Sequence, residues 1–182
     1  MLDTISFANL FGFLALLFYI VTLLPTILRV VFPATKSTGI PKRLLKYRRH
    51  IGVLAFCFAL IHGGLLLGKR NIDFFDPETY WVYFLGGATF IIFTLLAITS
   101  NDWSVKIMKK NWKRLHSLTY LAIFLLTAHV YDKMSGHWSY LTPLGIAGMT
   151  GTAVFFLMRK WIEKQNKSSK TKAKPALNAL KC

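Results

Sequence analysis

Five apolar stretches recur along the chain, at residues 5–28, 51–68, 81–99, 115–131 and 140–158, each nearly free of charge and set off by short polar connections. A helix that crosses a bilayer needs roughly 17–25 mostly apolar residues. The first and third stretches reach that length easily, the fifth just does, and the second and fourth do so with their polar flanks. The pattern predicts an all-α integral membrane bundle of about five transmembrane helices. Pro25, near the end of the first span, is expected to kink it, because proline removes a helical hydrogen bond. Residues 33–41, with Pro33, Gly39 and Pro41, read as a loop, residues 42–49 as a short basic interfacial helix, and the second span follows from about His50 to Gly68. The third span begins at an aromatic belt of Tyr80, Trp81 and Tyr83, residues that favour the membrane–water boundary. Residues 106–114 form a second basic interfacial segment, and Gly145, Gly148 and Gly151 suit close packing of the fifth helix. Residues 1–161 thus form the transmembrane domain, and residues 162–182 a polar, lysine-rich tail expected to be disordered.

Charge adds direction to this picture. The formal net charge is +16, and three connections that share one side of a five-span bundle hold 20 of the 23 Lys and Arg residues. The opposite side carries Lys69, Arg70 and Lys133 with five of the seven acids. The positive-inside rule places the N-terminus outside and the tail in the cytoplasm. So distributed, the basic residues point to topology and to contact with anionic lipid head groups, and nucleic acid is not an expected partner. An integral, multi-pass protein of a bacterial-type plasma membrane is the expectation. The N-terminus begins Met-Leu-Asp without a basic region, so the first apolar stretch reads as a retained helix rather than a cleaved leader.

Several chemistries are excluded by what the residues lack. Gly63-Gly64 and Gly86-Gly87 sit inside apolar spans, without the strand–turn–helix setting of a dinucleotide fingerprint. Cys57 lies in a span and Cys182 at the end of the tail, too few and too far apart for a disulfide framework. A soluble nucleotide or flavin domain needs on the order of 100 further residues. Electrons handled by this chain must come from a partner.

The histidines carry the chemistry. Ionisable side chains within a bilayer are costly and mark function, and imidazole is a common axial ligand of haem iron. His62 lies about 18 Å beyond His50 along the second span, and His129 about 20 Å beyond His116 along the fourth, at 1.5 Å per residue. Both spans run in the same direction, which produces two depth-matched pairs: His50 with His116 inside and His62 with His129 outside. Two bis-histidine haems stacked across a core about 30 Å thick fit those depths. On an ideal helix His129 stands about 140° from His116, and His62 about 120° from His50, so bending near Gly52 or Gly63-Gly64 is expected to assist alignment. Arg48, Arg49 and Arg114 are placed to pair with haem propionates. His137, in an outer loop, reads as solvent-exposed.

Two stretches resemble a known family: Arg48-Arg49-His50-Ile51-Gly52 leading to His62, and Trp112-Lys113-Arg114-Leu115-His116 followed thirteen residues on by His129. They resemble the ferric reductase-like transmembrane domain family, most closely its bacterial branch of MsrQ (YedZ) haem-binding subunits, over roughly residues 15–158. The resemblance implies a cytochrome b relaying electrons outward, with His62, His116 and His129 as ligands to one or two haems b. It implies a cytoplasmic flavin reductase or a quinol as donor, with flavin or quinone brought by that partner. The expected acceptor is an outer-side oxidoreductase, a ferric substrate or dioxygen. The alternative is a haem-free membrane assembly or scaffold protein that retains the fold.

Overall fold

In the computed structural model, described here for residues 7–69, 77–134 and 141–179, the chain forms seven α-helices and one short 3₁₀ turn. They are α1 (Phe7–Val31), α2 (Ile40–Lys69), α3 (Pro77–Ile98), α4 (Asp102–Met108), α5 (Lys110–His116), α6 (Leu118–Met134) and α7 (Leu141–Ala179). Four helices are long and apolar enough to cross a membrane: α1, α2 over Ile40–Gly68, α3 over Tyr80–Ile98, and α7 over Leu141–Ser169. The remaining expected span is α6, whose 17 residues meet the lower end of the usual range. The protein is an integral, multi-pass membrane protein. Large apolar side chains such as Leu17, Leu60, Ile91, Leu121 and Leu157 stay exposed on the outside of the bundle, as a lipid solvent allows. The connection at residues 70–76 and the loop containing His137 lie outside the described residues.

Helix boundaries differ from the sequence expectation in three places. First, residues 42–49 are not a separate interfacial helix. The 3₁₀ turn Pro33–Lys36 and Gly39, with φ of 71°, complete the reversal early, and α2 then runs unbroken through Gly52 and Gly63-Gly64 for 30 residues. Pro41 falls in its first turn, where the missing N–H costs no intrahelical bond. Second, the basic segment after α3 is two helices. Asn101 caps α4 by accepting from the Ser104 amide at 2.7 Å, and Lys109, at φ 45°, breaks α4 from α5 in backbone space usually left to glycine. Third, residues 162–179 of the expected disordered tail continue α7. Extending an existing helix avoids the cost of nucleation, and Lys, Gln, Glu and Ala are good helix formers. Arg159 donates to Glu163 one turn on, at 2.8 Å.

Helix α1 runs on through Pro25, which is fully buried. It packs against α2 and α7, while α3 packs against α2 and α6, and α6 against α7, so the helices close a ring. Tyr19 of α1 ties this ring across: its hydroxyl donates to the Thr119 carbonyl of α6, and its ring lies 5.1 Å from that of Phe93 in α3. Leu16, Leu23, Ala55, Ile123, Met149 and Phe156 complete the buried core around it. Of the three expected packing glycines in α7, Gly148 is the tight one: a Cβ there would stand 3.2 Å from Ile20 Cδ1. Alternating helix direction collects the basic segments, α4 and α5 at one end of the bundle, called here the basic end. His62 and His129 lie toward the other, the far end.

Candidate functional site

Two sites emerge, one at each end. At the far end, His62 of α2 turns its ring onto α1, with Nδ1 2.6 Å from the Ala8 carbonyl oxygen. His129 of α6 turns onto α3, with Nδ1 3.0 Å from the Val82 carbonyl oxygen. A carbonyl only accepts, so Nδ1 must carry the proton in both rings. Nε2 is then the nitrogen with the lone pair, the tautomer a metal-binding imidazole adopts. Both rings are partly buried. The structure therefore gives the two far-end histidines the same hydrogen-bonding geometry, each on a different neighbouring helix.

At the basic end a cleft of about 380 Å³ opens between α2, α3 and the α5–α6 junction, over a floor formed by Tyr19 and Thr22 of α1. Gly52, Ala55, Ala97 and Ser100 make its walls thin. His116 lines it, its ring stacked on Trp112 with centroids 4.0 Å apart. Thr99 holds this pair from the end of α3: its hydroxyl lies 3.1 Å from His116 Nε2, and its carbonyl accepts from Trp112 Nε1 at 2.9 Å. Arg48 and Arg49 also line the cleft. Arg48, Ala55 and His62 are seven residues apart in turn, so one face of α2 runs from the cleft to the far-end site.

His50 does not join this cleft. It is exposed and absent from the lining, as its position about 120° around the helix from His62 requires. His50 and His116 thus do not share this cleft, and α2 runs unbroken through Gly52 and Gly63-Gly64. Arg114 is likewise exposed and outside the cleft. Four residues at these sites escaped the sequence reading: Thr99, and Trp112 beyond its place in a motif, at the basic end, and Gly12 and Gly86, against which the His62 and His129 rings lie, at the far end. Gly12 did leave a signal, since an isolated glycine inside a helix usually has a packing reason.

Arg49 reaches across to α4 and pairs with Asp102 at 2.7 Å. That guanidinium holds the Asp102 carboxyl below the usual carboxylate range. A lowered folded value means the pair's contribution is complete above pH about 4 and is lost only as pH falls through the lowered value. Because both side chains are solvent-accessible, screening keeps that contribution small. Thermal melting of Asp102→Asn is expected to lie slightly below the parent between pH 5 and 8, with the gap closing as pH falls through the lowered value, measured as midpoint against pH.

Residues 11–127 match the family model described as ferric reductase like transmembrane component. Curated relatives include the protein-methionine-sulfoxide reductase heme-binding subunits MsrQ of Brucella ovis and of Brucella suis biovar 1. Each is 36% identical over 126 residues, covering 65% of this chain and 52% of the relative. The chain thus spans about half the length of the curated relatives it matches. No solved structure matches it. The matched segment contains Gly12, His62, Gly86 and His116 and ends just before His129.

Proposed function

The chain belongs to the family of ferric reductase-like transmembrane components, and on that premise we propose that it is a haem b-binding electron-transfer subunit. It carries electrons from a cytoplasmic donor, a flavin reductase or a quinol, to an acceptor on the outer side. The observation that carries this reading is the matched pair of far-end imidazoles, each with Nδ1 donating to a helix carbonyl, the tautomer that a metal-binding imidazole adopts.

The residues fit haem. Imidazole is a common axial ligand, and haem b supplies the one-electron change between ferrous and ferric iron. His62 and His129 would hold one haem through their imidazoles. His116 is the one histidine among the described residues lining the basic-end cleft, so a second haem there would be held by His116. Arg48, half-buried in that cleft, would meet a propionate or another anionic group, since guanidinium suits carboxylates. Arg49 would add charge from within its pair with Asp102. The outward path then follows the face of α2 from Arg48 to His62. The basic end would face the cytoplasm by the positive-inside rule, with the lysines of α7 against anionic lipid. An outer-side oxidoreductase, as the relatives' name suggests for them, would be the acceptor; a ferric substrate is the second possibility to assay.

Purified protein in oriented vesicles tests this directly. The expected result is a low-spin haem spectrum, reduced when donor is supplied on the basic side and reoxidised by an acceptor on the far side. A chain without haem after expression with ample haem would sink the reading in favour of a haem-free scaffold.

A further inference from the structure

We infer that Gly12 and Gly86 are positioning residues that receive the His62 and His129 imidazoles and aim their Nε2 atoms; this rests on the haem reading above. A Cβ built on Gly12 would stand 2.8 Å from His62 Nδ1, and one on Gly86 would stand 2.9 Å from His129 Cε1. Real Cβ contacts do not come that close. Each imidazole therefore occupies the space that only glycine leaves.

The two sites share one construction. The carbonyl that His62 engages belongs to Ala8, four residues before Gly12; the one that His129 engages belongs to Val82, four residues before Gly86. In a helix, a side chain leans back over the turn N-terminal to its own Cα, covering the carbonyl four residues earlier. Glycine uncovers that carbonyl. Its oxygen has two lone pairs, so it can accept from the helical amide and from an incoming imidazole together. The notch and the acceptor are thus one feature of the backbone, made twice.

Nothing else about these glycines calls for glycine. Neither has a positive φ; among the described glycines only Gly39 does. Alanine is the better helix former at an interior position. Among the described residues, and apart from their own helix backbone and chain neighbours, nothing lies within 4 Å of a Cβ added to Gly63, Gly64 or Gly87, so they are built-in controls on the same helices or beside the same histidines.

A ring so held has its tautomer and rotation set before the metal arrives. Groups that hydrogen-bond a metal-binding imidazole in this way typically alter metal affinity by about 10–100-fold. Gly12→Ala and Gly86→Ala should therefore each weaken haem retention at least tenfold and change the low-spin ferric EPR signal, while Gly63→Ala and Gly87→Ala leave both as in the parent. A merely structural role would move stability without moving the EPR signal of the haem that remains.

A second comparison decides the matter even where Gly86→Ala does not accumulate. In His129→Gly the ring that would clash is gone, and added imidazole should enter the notch and restore the low-spin spectrum. In His129→Gly with Gly86→Ala, that restoration should need at least tenfold more imidazole. Equal imidazole requirement in the two, or no restoration in His129→Gly, overturns the inference. Haem-loaded parent protein with indifferent Gly12→Ala and Gly86→Ala overturns it alone; parent protein without haem overturns the haem reading and this inference together.

Discussion

Replacing His62 or His129 with alanine is expected to remove the far-end haem while leaving the bundle assembled. Each ring is partly buried and bonded to a neighbouring helix carbonyl, so its loss uncovers one acceptor that the helical amide still satisfies. The structural cost should be modest. The cost to ligation should be large, because a bis-histidine site loses a direct ligand rather than an orienting partner, and orienting partners alone account for about 10–100-fold. Haem per chain, measured by pyridine haemochrome, should fall by at least tenfold in each variant. The double variant should look like either single one, since two ligands to one iron act as a unit. Independent, additive losses would instead place the two histidines in separate sites.

The second large effect is expected at the basic end, in the contrast between His116→Ala and His50→Ala. His116 lines the cleft, stacks on Trp112 and meets the Thr99 hydroxyl. His50 is exposed on another face of α2. Electron entry from a basic-side donor should therefore drop at least tenfold in His116→Ala, the scale of losing a positioned group at a redox site, while His50→Ala should reduce at the parent rate. Stopped-flow reduction in vesicles reads both. Haem content in the same samples separates a lost second haem from a damaged donor site. A fall in haem for His50→Ala would restore the inner pair of His50 with His116.

Much of the bundle was legible because a bilayer imposes its own length scale. About 20 apolar residues are needed whatever the tertiary contacts, so α1, α3 and α7 announce themselves. The grouping of lysines and arginines was similarly direct, and it places His116 with Arg48 at one end and His62 with His129 at the other. Helix boundaries were harder to read. Gly39 and Pro41 are genuine turn signals, yet nothing local tells residues 42–49 that they will join the span behind them. Lys109 occupies a backbone region where glycine or asparagine would have been the cue. The depth of His50 was readable from residue counting; its direction around the helix argued against it, and only a bend could have rescued it. Gly12 and Gly86 illustrate the deeper limit. Each is meaningful only through a ring contributed by another helix, and no periodicity within α1 or α3 reports that ring.

Two acids lie at the basic end, Asp102 and Glu163, and each is engaged by an arginine, Arg49 and Arg159. The basic residues of that end far outnumber these two acids, so it presents a standing, net positive field. A field of one sign acts at a distance before any contact forms, gathering oppositely charged molecules and speeding encounter. With a Debye length of about 8 Å at physiological ionic strength, that pull is short-ranged and tunable by salt. An acidic donor protein would consequently find this membrane face by rapid, ionic-strength-dependent capture. Selectivity among donors would then begin in how fast they arrive.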